Sequence, residues 1–124
     1  MSLMISKGYF EGLSGALDDI GRKGLFPTTY ATDHATAAHP HWHSEEVLAY
    51  MVKGNTYFLD AEGRRHDVES GDLVTVPART LHAEGDISEP VIMLIGLKEA
   101  LPMDKFLLPR DPADLQRPPK DEIT

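Results

Sequence analysis

"HWHSEEVLAYMVKG", residues 41–54, changes character halfway along. It opens with two histidines one residue apart, followed by two acids, and ends in a run of strand-forming residues closed by Lys53 and Gly54. In an extended chain, residues two apart leave the same face, about 6.6–6.8 Å apart along the backbone. His41 and His43 therefore point together, and His39 joins them if Pro40 leaves the strand straight. Two imidazoles on one strand can hold one metal ion through their ring nitrogens, with a third ligand supplied by another strand. "LHAEG", 81–85, offers His82, with Glu84 two residues on and facing the same way. On an exposed sheet face these would be ordinary surface histidines. A His-x-His pair and a separate His-x-Glu pair in one strand-rich chain favour a metal instead, because borderline metals take imidazole and carboxylate sets.

Around this stretch lies a chain of 124 residues, enough for one domain with a hydrophobic core. Its net charge of −8 and pI of about 5.1 argue against a nucleic-acid or anionic-membrane partner. Having no cysteine, it is excluded from disulfides, zinc–thiolate sites and thiol catalysis. No apolar run approaches the roughly 20 residues that span a bilayer. The N-terminus lacks the basic-then-apolar layout of a secretory signal, so a cytoplasmic protein is expected.

Residues 10–24 show helical spacing at Phe10, Leu13, Leu17 and Ile20, with glycines that keep any helix short. From Leu25 to about Leu97 the pattern becomes short β-branched and aromatic segments between turn residues. These are "TTYAT", "VLAYMV", "TYFLD", "RRHDVE", "DLVTVP", "TLHAEG" and "PVIMLIGL". Seven or eight strands in about 75 residues, with no helix between them, predict an antiparallel sandwich or barrel. The tail, 102–124, holds prolines at 102, 109, 112, 118 and 119 and reads as an extended arm or as disordered. "FLLP", 106–109, is suited to dock that arm on the body or on a partner subunit. The expected organisation is an N-terminal segment with a short helix (1–24), a β-barrel (25–101) and a C-terminal arm (102–124).

"HWHSEEVLAYMVKG" resembles the first cupin motif, and "GDLVTVPARTLHAEGD", 71–86, resembles the second: Gly71, Pro77 six residues on, then His82. The interval of 16 residues between Gly54 and Gly71 suits a small single-domain cupin. The resemblance covers about a third of the chain. It implies an all-β, cupin-type jelly-roll barrel, with one divalent metal ion (Fe, Mn, Ni or Zn) held inside by His41, His43 and His82. Three departures stand out. Val47 occupies the usual place of the first-motif glutamate, Arg79 that of a glycine, and Asp86 that of an asparagine. Strand alternation puts Val47, Ala49 and Met51 on the metal's face and Glu46, Leu48 and Tyr50 on the other. Only a bulge would bring Glu46 inward; otherwise Glu45 and Glu46 are solvated loop residues. Glu84 is then the catalytic candidate, ligating or acting as a base, unless it faces outward to pair with Arg79. His34 and His66 are expected at the surface. Trp42 alternates away from the metal, toward a helix, the tail or another subunit.

These readings point to a metal-dependent enzyme on a small organic molecule, of the dioxygenase type. The alternatives are a metal-dependent isomerase or lyase, and a non-catalytic module that binds a small molecule or the metal alone. Exposed barrel edges and spare apolar segments predict a homodimer.

Overall fold

The computed structural model describes residues 2–100 and 109–116 of the chain. Of the "FLLP" stretch, residues 106–108 lie outside the described residues. Eight strands and one helix follow in order: β1 (Met4–Ser6), α1 (Gly12–Arg22), β2 (Phe26–Thr32), β3 (Val47–Lys53), β4 (Asn55–Leu59), β5 (Arg65–Glu69), β6 (Leu73–Val76), β7 (Ala83–Glu84) and β8 (Val91–Leu97). They form a five-stranded sheet, ordered β1-β6-β3-β8-β2, and a three-stranded sheet, β5-β4-β7. Every pairing is antiparallel. This is the expected cupin-type barrel.

β3 lies at the centre of the larger sheet and shows how alternation builds the core. Val47, Ala49 and Met51 pack inward with Val74, Val76, Met93 and Ile95. Leu48 and Tyr50, on the opposite face, pack under Ala16 and Ile20 of α1. A bulge falls between Met51 and Lys53, where the register against β8 shifts by one. It lies at the far end of β3 from the histidines, so the parity of 47–51 is undisturbed. Gly54 then turns the chain at φ 94, and a Cβ there would lie 2.4 Å from the Pro90 carbonyl, so only glycine fits.

Two elements differ from the sequence reading. β1 is a three-residue strand paired with β6, too short to carry a readable alternation. The helix forms, and Ile20 and Phe10 of the apolar spacing pack in the core beneath it, but Leu13 and Leu17 do not. Ala16, Asp19 and Ile20 are buried while Leu13 and Leu17 are exposed. The tail segment 109–116 is only partly extended. Arg110 bridges to Trp42, and Pro112–Gln116 forms a 3-10 turn behind an Asp111 carboxylate that accepts from the Ala113 amide.

Candidate metal centre

His41 and His82 exchange both backbone hydrogen bonds, each at 2.9 Å. In such an antiparallel pair the two side chains leave from the same face. His43 and Glu84, each two residues further along its own segment, share that face. The result is a cluster in which one donor atom from each of His41, His43, His82 and Glu84 lies within 4.8 Å of the others. Ring centroids are 5.0 Å apart for His41–His43, 4.6 Å for His41–His82 and 5.2 Å for His43–His82. All three imidazoles are buried. Glu84 is the most open member, with a side chain 37% exposed against 11% for His41 and 1% for His82.

The hydrogen bonds define what the cluster lacks. His41 Nδ1 lies 2.7 Å from the His39 carbonyl, and His82 Nδ1 lies 2.9 Å from the Thr80 carbonyl. A carbonyl only accepts, so both Nδ1 atoms carry hydrogen. Both Nε2 atoms face the carboxylate of Glu84, at 3.2 Å from Oε1 and 3.0 Å from Oε2. In the neutral rings those Nε2 atoms present lone pairs to a carboxylate. The contact is favourable only if both rings are protonated or if a cation stands between them. Two imidazolium rings at this separation, beside a third histidine, repel each other. One divalent ion satisfies all the donors at once, and the backbone carbonyls already orient the rings for it. The donor set therefore fits a metal. The same electrostatics move the titrations. Burial pushes the Glu84 carboxyl up, but hydrogen bonds and charge from His41 and His82 outweigh it and hold it well below the usual carboxylate range. Burial pulls His41 down, but Glu84 and the His39 carbonyl raise it above its ordinary value.

The cluster opens into a cavity of about 610 Å³. Its walls are mostly apolar, with Val47, Ala49, Phe58, Val76, Met93 and Ile95 among the lining residues. Val47 thus stands beside the cluster without contributing a donor. Met51, expected on this wall, is buried in the core deeper along the strand. Phe58, opposite Glu84 on β4, was not anticipated, although its place in the β4 alternation would have shown it.

The remaining candidates fall outside the cluster. Glu46 pairs with Lys98 at 3.7 Å, and Glu45 accepts from the Ser44 hydroxyl at 3.0 Å. His66, on β5, bonds Asp60 of the β4–β5 turn at 2.9 Å, while His34 and His39 are exposed. Arg79 lies not on Glu84 but over the Trp42 ring, 4.8 Å from its centroid. Trp42 is buried and its indole donates to the Asp111 carbonyl at 2.9 Å, so its partner is the tail.

The AraC-like ligand binding domain family matches residues 27–89. No curated protein matches the sequence. Among solved structures, the fold is similar to a DUF861-family protein from Thermotoga maritima, at 19% identity and TM-score 0.55, over 77% of this chain and 98% of that one. It is also similar to a DMSP lyase from Ruegeria pomeroyi, at 20% identity and TM-score 0.54, over 63% of this chain and 40% of that one. An oxalate decarboxylase from Lactobacillus farciminis matches at 21% identity and TM-score 0.51, over 63% of this chain and 25% of that one. The chain thus spans less than half the length of either enzyme. At these identities the likeness is one of fold.

Proposed function

Because the chain belongs to the AraC-like ligand binding domain family and folds as a cupin, we propose that it is a metal-dependent protein acting on a small organic molecule in the barrel cavity. The observation that carries this is the pair of Nε2 atoms aimed at one carboxylate, with both Nδ1 atoms already committed to backbone carbonyls. His41, His43 and His82 would hold one divalent ion. Such an ion supplies Lewis acidity toward a carbonyl, enolate or carboxylate oxygen and, if it is iron, access to O₂ chemistry.

The chain's own residues do the rest. The apolar walls exclude water and favour a ligand with few polar groups. Glu84, the most open donor, is placed to accept a proton from a ligand O–H or C–H, or to complete the ion's shell. A dioxygenase-type reaction on an enolizable acid or diketone is the reading we favour. An isomerase or lyase would use the same acid–base group. Similarity to structures named as a lyase and a decarboxylase supports chemistry in this fold, though not a particular substrate. The test is metal analysis of protein grown with controlled metals, followed by an oxygen-consumption screen on those substrate classes. Iron with substrate-dependent oxygen uptake, lost in Glu84→Gln, supports the reading.

A second reading, favoured by the family description, is a non-catalytic ligand-binding module. Tightly held zinc, with ligand binding but no turnover, would establish it. In either case we propose a homodimer, because β2 is a sheet edge that carries the exposed Phe26, and Leu13 and Leu17 on α1 are exposed as well.

A further inference from the structure

One wall of the cavity belongs to neither sheet. Pro109, Arg110, Asp111 and Pro112 line it, although they come from the tail. The segment 109–116 is bonded to the barrel at Trp42 and at Arg79. The Arg110 amide donates to the Trp42 carbonyl at 2.8 Å, and the Trp42 amide donates back at 3.4 Å. The Trp42 indole donates to the Asp111 carbonyl at 2.9 Å. Arg79 Nη2 donates to the Leu115 carbonyl at 3.0 Å. Each of these bonds ends on Trp42 or Arg79, and the guanidinium of Arg79 stacks over that indole.

Arg79 is also the one described non-glycine residue with positive φ, at 59. An L side chain adopts that conformation only where its surroundings hold it. Here the side chain is held by the indole on one side and the tail carbonyl on the other. Its backbone is held by a 2.9 Å bond from the Arg79 amide to the His43 carbonyl. Trp42 itself lies between His41 and His43, with its side chain on the opposite face. The clamp and the metal donors therefore share one short piece of backbone.

We propose that the 109–116 segment is a docked wall that sets the size of ligand the cavity admits, and that Arg79 is its positioning residue, clamping it from outside through Trp42. This rests on the reading of the cavity as a ligand site and adds what limits that ligand. Trp42 is the only tryptophan, so its fluorescence reports docking directly.

Two full-length variants test the proposal. Arg79→Gly relieves the backbone and removes the clamp. Arg110→Pro removes the amide that bonds Trp42 and leaves every barrel residue in place. Acrylamide quenching of Trp42 should rise severalfold in both. Anilinonaphthalene sulfonate, which reports accessible apolar surface, should bind both variants severalfold more strongly than the native protein as the apolar cavity opens. Unchanged quenching in the variants, or equal dye binding by native protein and variants, would overturn the proposal. If Arg79→Gly fails to fold, Arg110→Pro decides. Metal content is measured in parallel. A protein that never takes up metal defeats the reading of the histidine cluster and leaves the clamp standing, whereas metal uptake with unchanged quenching does the reverse.

Discussion

Two polar clusters sit on opposite sides of the larger sheet, and they are built on opposite accounts of their hydrogen bonds. Outside, under α1, Asp19 accepts from Tyr50 at 2.7 Å and from Tyr9 at 3.1 Å, and pairs with Lys23 at 2.8 Å. Lys23 in turn donates to Tyr9 at 3.0 Å. Donors and acceptors match within the chain. Burial pushes the Asp19 carboxyl up, but the hydrogen bonds from Lys23, Tyr50 and Tyr9 prevail and hold it below its ordinary value. Inside, at the histidine cluster, two Nε2 atoms and a carboxylate converge, an arrangement that neutral imidazoles do not satisfy. A polar cluster complete in itself holds a fold together; one that lacks a charge of definite sign and place marks where something binds.

The comparison can be broken first at the helix. Asp19→Ala leaves the buried Tyr50 hydroxyl without its acceptor and the Lys23 ammonium without its counter-charge. We expect a loss of about 3 kcal/mol, read as a fall of roughly 10 °C in melting temperature, with metal content unchanged. Metal loss in that variant would show that the two clusters are not independent.

A slightly smaller effect is expected from pH at the inner cluster. The His41 pKa is raised in the folded protein by Glu84 and the His39 carbonyl, against the pull of burial. A raised folded pKa contributes stability that is fully present below the unfolded value, near 6.5, and lost as pH rises through the folded value. The metal-free protein therefore gives up this contribution on going alkaline, where metal binds best because protons no longer compete. The rise in melting temperature on adding Zn²⁺ should be near zero at about pH 5 and grow toward pH 8. At a hundredfold excess over Kd the stabilisation should reach about 2.7 kcal/mol. A metal-induced rise that shrinks with pH would contradict this.

Tyr50→Phe sharpens the contrast on a smaller scale. It removes one donor from Asp19 and leaves the others, for about 1 kcal/mol in urea unfolding with no change in slope. The smallest effect concerns assembly. Leu17→Glu on the exposed side of α1 should shift sedimentation from dimer toward monomer without altering the fold. A native protein already monomeric at micromolar concentration would refute the homodimer.

Strand parity made the inner cluster legible. His41, His43, His82 and Glu84 are spaced in twos, and a bulge that would have spoiled the count lies beyond Met51, away from the site. Val47 in place of a carboxylate could be read the same way. What escaped is non-periodic. β1 is three residues long and is defined by its partner, β6. The docked face of α1 combines apolar Ala16 and Ile20 with Asp19, whose long-range bond to Tyr50 the spacing does not announce, and it leaves Leu13 and Leu17 exposed. The tail wall of the cavity depends on bonds between residues 42, 79 and 110–115, which no local pattern announces.

The most direct test of the central claim is the stoichiometry of metal binding. Metal-free protein titrated with Co²⁺ at pH 7.5 should bind one equivalent, and His82→Ala should lower that affinity by about a hundredfold while remaining folded. No binding by the native protein, or an unchanged equivalent in both His82→Ala and His43→Ala, would contradict the account.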